Sequence, residues 1–176
     1  MQSKTTLSIA AAVVTIVAGA VWLSAQNMSQ EEVNEPSSAQ LPSVSLTDYE
    51  GNEVNVADFF GKPIVVNSWA VWCPFCVKEL PDFVTVQKEF ENQVTFIAID
   101  RAEPRDVAKE FTDGLGITDD LVFLLDPRDS FYQAIGGFSM PETLFVNTDG
   151  EVVFHKRGPM PLEEIRQRTQ ALLQQQ

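Results

Sequence analysis

The chain has 176 residues, 44% of them apolar and 10% aromatic, which is material for one ordinary hydrophobic core. Its formal charge of −13, with no Lys/Arg cluster, argues against a phosphate-gripping surface, so no nucleic-acid partner is expected. Two cysteines, three positions apart, are too few for a multi-bridge scaffold and point instead to one reactive dithiol.

Residues 7–25 run 19 positions without a charge, preceded by Lys4. A single membrane span needs ~20 apolar residues and the core of a cleaved signal peptide is shorter, so an uncleaved anchor is the favoured reading. Small residues at Ala18-Gly19-Ala20 and Leu23-Ser24-Ala25 keep a cleaved signal peptide as the alternative. Lys4 on the cytoplasmic side sends the rest of the chain across, which predicts one N-terminal span and an extracytoplasmic domain, periplasmic or at the cell surface. Residues 26–40 are polar, acidic and proline-bearing, and read as a flexible tether.

From Leu41 onward the pattern is globular. Residues 44–47 and 53–56 flank the turn signal Asp48-Tyr49-Glu50-Gly51-Asn52 and predict a short β-hairpin, followed by a helical turn at 58–62. Residues 64–70 (IVVNSWA) predict a buried central strand that delivers the chain to Trp72-Cys73-Pro74-Phe75-Cys76. Beyond the motif Cys76, Leu80, Phe83, Val86 and Phe90 recur at helical spacing, with a kink expected at Pro81 because its ring leaves the carbonyl of Val77 unpaired. There follow a strand at 94–99, a helix at 104–115, a strand at 121–125 and a short helix at 129–135. Strands at 143–146 and 152–155 flank Thr148-Asp149-Gly150, and an amphipathic helix at 162–173 closes the chain. This order implies an α/β domain, a mixed sheet with helices on both faces.

A cysteine in the first turn of a helix that leaves a strand feels the positive end of the helix dipole, which favours thiolate. Cys73 has that place, and Pro74 suits the first helical position, where its missing N–H costs nothing. Cys73 is therefore expected to attack a partner disulfide, and Cys76, one turn deeper and shielded, to resolve the mixed disulfide. Zinc needs four ligands and the pair plus His155 falls short, c-type haem needs histidine where Val77 stands, and a structural bridge across so short a loop stabilises little. No metal and no cofactor is expected.

The run Val66-Asn-Ser-Trp-Ala-Val-Trp-Cys-Pro-Phe-Cys-Val-Lys-Glu-Leu-Pro81 resembles the signature of TlpA/ResA-type thioredoxin-like proteins. Gly61-Lys62-Pro63 before it, and Met140-Pro141-Glu142-Thr143 with Asp149-Gly150 after it, extend the resemblance from about Leu41 to the C-terminus. The Pro-Glu-Thr run and the proline after the first cysteine are also similar to CcmG/DsbE-type proteins. The resemblance implies a thioredoxin fold over 41–176 with an N-terminal β-hairpin extension. It implies a cis Pro141 facing the dithiol and a Met140 backbone that pairs with a substrate strand. Thioredoxin carries an aspartate where this chain has Asn67; like the TlpA/ResA type, the chain has instead Glu79, three residues past Cys76, as a proton acceptor for the resolving thiol. Trp72, Pro74 and Phe75 complete the candidate substrate-facing set, Phe75 departing from the small or polar residues often found there. Trp69 reads as core, and His155 as a surface strand residue outside the site.

The implied activity is thiol-disulfide exchange with extracytoplasmic protein substrates. The implied direction is reductive, with cytochrome c maturation among the roles that the resemblance suggests and a membrane electron-donor protein as the source of electrons. Three other readings stand beside it. A disulfide-introducing oxidant differs in reduction potential. A peroxiredoxin-like thiol peroxidase wants threonine or serine where this chain has Ala70. A noncatalytic module would hold extended segments by strand pairing near Pro141.

Overall fold

A computed structural model describes residues 39–175, all within the second of the two units, Met1–Asn34 and Glu35–Gln176, into which the chain divides. The expected anchor at 1–25 and the tether as far as residue 38 lie outside the described residues. Among the described residues no helix is long and apolar enough to cross a membrane.

The elements run β1 (Ser45–Asp48), β2 (Glu53–Asn55), a 3₁₀ turn (Val56–Phe59), β3 (Ile64–Trp69), α1 (Pro74–Glu89), β4 (Thr95–Arg101), α2 (Arg105–Leu115) and β5 (Val122–Asp126). They continue with α3 (Ser130–Ala134), β6 (Glu142–Val146), β7 (Val152–Arg157) and α4 (Leu162–Leu173). The strands make one seven-stranded sheet in the order β2-β1-β5-β4-β3-β6-β7. β3, β4 and β5 are parallel, and the remaining neighbours pair antiparallel. This is a thioredoxin-like α/β arrangement.

Every residue of β3 is buried, as expected of a parallel strand covered on both faces. Its two-residue period sends Ile64 and Val66 to one side, where they meet Ile97, Ile99, Leu124, Leu144 and Phe131 of α3. On the other side Val65 and Phe96 pack against Phe83 and Val86 of α1 and Ile165 of α4. Farther along that face Trp69, Ala98 and Phe123 meet Cys76 and Leu80 of α1 and Ala108 of α2. Helices α1, α2 and α4 thus cover one face, α3 and the 3₁₀ turn the other. Helix α1 continues through Pro81, whose carbonyl accepts from Thr85 Oγ1 at 2.9 Å.

The hairpin turn is closed by Asp48, whose Oδ1 accepts the N–H of Glu50 and of Asn52 at 2.9 and 2.8 Å, with Gly51 at φ +90°. Several element boundaries differ from the sequence reading by one to three residues, the helical turn at both ends. The turn begins at Val56, not at Asp58, because Asn55 and Asp58 form a capping box in which each side chain accepts the other end's backbone N–H.

The passage from β5 into α3 depends on a buried acid. Asp126, 1% exposed, accepts from Ser130 N and Oγ through one oxygen and from Phe131 N and Tyr132 N through the other. These contacts do for a five-residue helix what its own first turn cannot. Asp126→Ala is expected to lower stability by about 2–3 kcal/mol in urea unfolding, the size of a lost cap plus buried charged hydrogen bonds.

Candidate active site

The site lies where β3 ends and α1 begins, at the C-terminal edge of the parallel strands. After Trp69 the chain turns, Cys73 N donating to Ala70 O at 3.1 Å, and Cys73 becomes the N-cap of α1 in extended conformation. Its Sγ accepts the backbone N–H of Cys76 at 3.2 Å, and Pro74 fills the first helical position. Cys73 and Cys76 are joined in a disulfide with Cα atoms 5.3 Å apart. The sulfur that accepts this N–H is the atom that carries negative charge once the bond is reduced, so the helix terminus favours its thiolate. Cys76 is fully buried and Cys73 nearly so, at 0% and 3% exposure.

Glu79, one turn further, is also buried, 3% exposed. Its Oε1 accepts from Asn67 Nδ2 at 2.9 Å and its Oε2 from the backbone N–H of Met160 at 2.9 Å. Burial outweighs these two bonds and pushes its carboxyl up to about 7. Asn67 Nδ2 donates as well to Thr143 Oγ1 at 3.0 Å, linking β3 to β6 behind the disulfide. The departure from thioredoxin at position 67 was visible in the sequence. Its use as a donor to Glu79, and the part of Met160, were not.

The Met140–Pro141 bond is cis, and Met140 packs against the apolar cluster that contains both cysteines. Trp72 and Phe75 are 58% and 59% exposed, and Phe138, unnoticed in the sequence, is 76% exposed. Trp69 is fully buried and faces the rings of Phe111 and Phe123 with centroids 5.9 and 6.0 Å away. The structure therefore gathers Cys73, Cys76, Glu79, Pro74, Met140 and Pro141 at one edge, with Trp72 and Phe75 on its rim.

The Redoxin family profile matches residues 36–172. The thiol-disulfide oxidoreductase ResA of Bacillus subtilis is 30% identical over 132 residues, covering 74% of this chain and 72% of that one. Among solved structures, dsbF of Mycobacterium tuberculosis superposes with a TM-score of 0.68 at 28% identity, over 74% of this chain and 95% of that chain. A thiol:disulfide interchange protein DsbE from Chlorobium tepidum shares the fold at a TM-score of 0.71 and 20% identity, over 78% and 97%. The chain belongs to the Redoxin family. Within it this chain is an enzyme, a thiol-disulfide oxidoreductase whose disulfide is Cys73–Cys76.

Two features of this Redoxin domain escaped the sequence reading. His155 is not a surface residue: its side chain is 13% exposed and its Nε2 lies 2.7 Å from Oε2 of the fully buried Glu142. Although burial opposes it, the bond to His155 and the N–H groups of Ser139 and Phe138 hold the Glu142 carboxyl below its ordinary range. The second feature is an acidic pair beside the loop that carries Cys73. Glu103 Oε2 accepts the N–H of Val71 at 2.6 Å. Next to it Asp100 is 1% exposed, and among the described residues neither of its carboxylate oxygens makes a hydrogen bond of good geometry. Burial first, then the neighbouring Glu103, pushes the Asp100 carboxyl up to about 8.

A carboxyl raised in the folded state binds a proton that the unfolded chain has released, so stability is full below the ordinary value near 3.8 and falls as pH rises towards about 8. Asp100→Asn keeps the shape of the neutral acid without its ionisation. It is expected to be near neutral at pH 4 and to stabilise by on the order of 2 kcal/mol at pH 9, read from urea midpoints across that range.

Proposed function

We propose that the enzyme is an extracytoplasmic reductant of protein disulfides. Residues 1–25 hold it to the membrane, 26–40 space it from the bilayer as far as Ala39 and Gln40, which already pair with Val152 and Glu151, and the domain from residue 41 onward carries the chemistry. The observation that supports this most is a disulfide at a helix N-terminus paired with a buried carboxyl whose proton affinity sits at about pH 7. The reducing direction rests on the resemblance of the sequence motifs to the TlpA/ResA and CcmG/DsbE types, and the location on the charge-free run behind Lys4.

Reduced Cys73 attacks one sulfur of a substrate disulfide. A Cys73–substrate bond forms, and the other substrate sulfur leaves as thiolate. Cys76 passes its proton to Glu79 and attacks Cys73 Sγ, which closes Cys73–Cys76 and releases the second substrate thiolate. Two electrons have then moved from enzyme to substrate, and the proton held on Glu79 is available to a departing thiolate. A dithiol of a membrane electron-donor protein restores the starting state. Disulfides formed between thiols that must stay reduced for cytochrome c maturation are the substrates that the resemblance favours.

Met140 and Pro141 receive the substrate. Among the described residues no hydrogen bond uses the Met140 backbone, so its N–H and C=O are free to pair with an extended segment. Trp72, Pro74 and Phe75 offer exposed apolar contact on the loop and first helical turn that carry the cysteines.

Cys73→Ser is expected to abolish turnover, and Cys76→Ser to accumulate a mixed disulfide visible by mass. In the native enzyme, resolution of that mixed disulfide accelerates from about pH 6 to about pH 8, because Glu79 accepts a proton only once its carboxyl, at about 7, has ionised. Glu79→Gln removes this rise and slows resolution on the order of 100-fold; an unchanged pH profile would reduce Glu79 to a packing role. Equilibration in thiol/disulfide buffers is expected to give a potential near that of thioredoxin, about −270 mV. A value near −120 mV would reverse the proposed direction.

A further inference from the structure

Phe138 lies two residues before Met140 and is the most exposed large apolar side chain among the described residues, at 76%. A loop tip that serves only to connect usually carries a polar residue and moves freely. This one is pinned. Glu142, fully buried, accepts the N–H of Phe138 and of Ser139 through Oε1, at 2.9 Å each. Its Oε2 lies 2.7 Å from His155 Nε2 and 3.9 Å from Arg157 Nε. Tyr132 OH donates to Ser139 O at 2.5 Å, and the chain presses so closely on that ring that a Cβ at Gly137 would fall 2.5 Å from it. Finally, the Arg157 guanidinium stacks on the Phe138 ring, 4.9 Å from its centroid. A buried acid, a histidine, an arginine and a tyrosine thus fix the backbone and ring of a residue that contributes little to the core.

We infer that Phe138 is a specificity-determining residue, receiving an apolar side chain of the substrate segment close to its reacting cysteine. The inference rests on the thiol-disulfide reading above and adds the class of substrate. The occupant is an extended protein segment, since the free backbone groups of Met140 suit strand pairing. Side chains two positions apart in such a segment share a face and stand about 6–7 Å apart, so a residue about two positions from the one beside Met140 reaches Phe138. One face of the ring is covered by the Arg157 guanidinium while its backbone is held by Glu142, which leaves the other apolar face turned to solvent and lowers the ordering cost on binding.

The test uses the full-length chain, prereduced, with two peptide–glutathione mixed disulfides. They are identical except that the positions two residues either side of the cysteine are leucine in one and serine in the other. The expected outcome is a second-order rate constant roughly 3- to 10-fold higher for the leucine peptide, the size of one apolar–aromatic contact. Phe138→Ala lowers that preference by roughly 3-fold or more, and Phe138→Leu restores most of it. Phe138 is exposed, so both variants are expected to fold, which their unfolding midpoints check. Equal rates for the two peptides, or an unchanged preference in Phe138→Ala, would overturn this inference alone. Reduction of neither peptide would overturn the thiol-disulfide reading and this inference with it.

Discussion

The burial of one carboxyl, that of Glu79, is the constraint around which the site is arranged. A carboxylate taken out of water costs several kcal/mol unless donors surround it. Here the donors come from β3, through Asn67, and from the chain just ahead of α4, through the N–H of Met160. Asn67 spends its second N–H on Thr143 of β6, so one acid ties α1 to three other parts of the domain. Helix α1 cannot shift without breaking these bonds, and its first turn carries both sulfurs. The same arrangement fixes the acid's chemistry: two donors are enough to make burial tolerable and too few to keep the carboxyl fully ionised at neutral pH.

Much of this was legible from the chain because it is written in local pattern. The charge-free β-branched run of β3 and the Pro74 that starts α1 each act within a few residues, as does the helical recurrence of Cys76, Leu80 and Phe83. Such signals place the cysteines at a strand-to-helix junction without knowledge of the rest. The supporting contacts have no local signature. Asn67 and Thr143 are 76 positions apart, Glu79 and Met160 are 81 apart, and Met160 contributes only a backbone N–H, which any residue but proline could supply. Likewise Asp100 reads as one more acid in an acidic chain. Its loss of water appears only when β4 is seen beside β3, in the register that sets Asp100 opposite the buried Trp69.

His155 shows most clearly how a single irregularity decides a partner. Counting back from the turn at Asp149-Gly150, Val146 stands opposite Val152, and an unbroken ladder would set Glu142 opposite Lys156. His155 would then point away from Glu142, because residues opposite each other share a face and neighbours along a strand do not. A register shift between Phe145 and Val146 instead sets Glu142 opposite Arg157 and Leu144 opposite His155. A one-residue shift flips every side chain beyond it, so His155 and Arg157 both turn to the face that carries Glu142. From there the buried carboxylate reaches His155 diagonally across the ladder and the N–H groups of Phe138 and Ser139 on its other side. The conformation of the segment before the cis proline is thus set by a bulge four residues after it, through an acid that the same bulge supplies with partners.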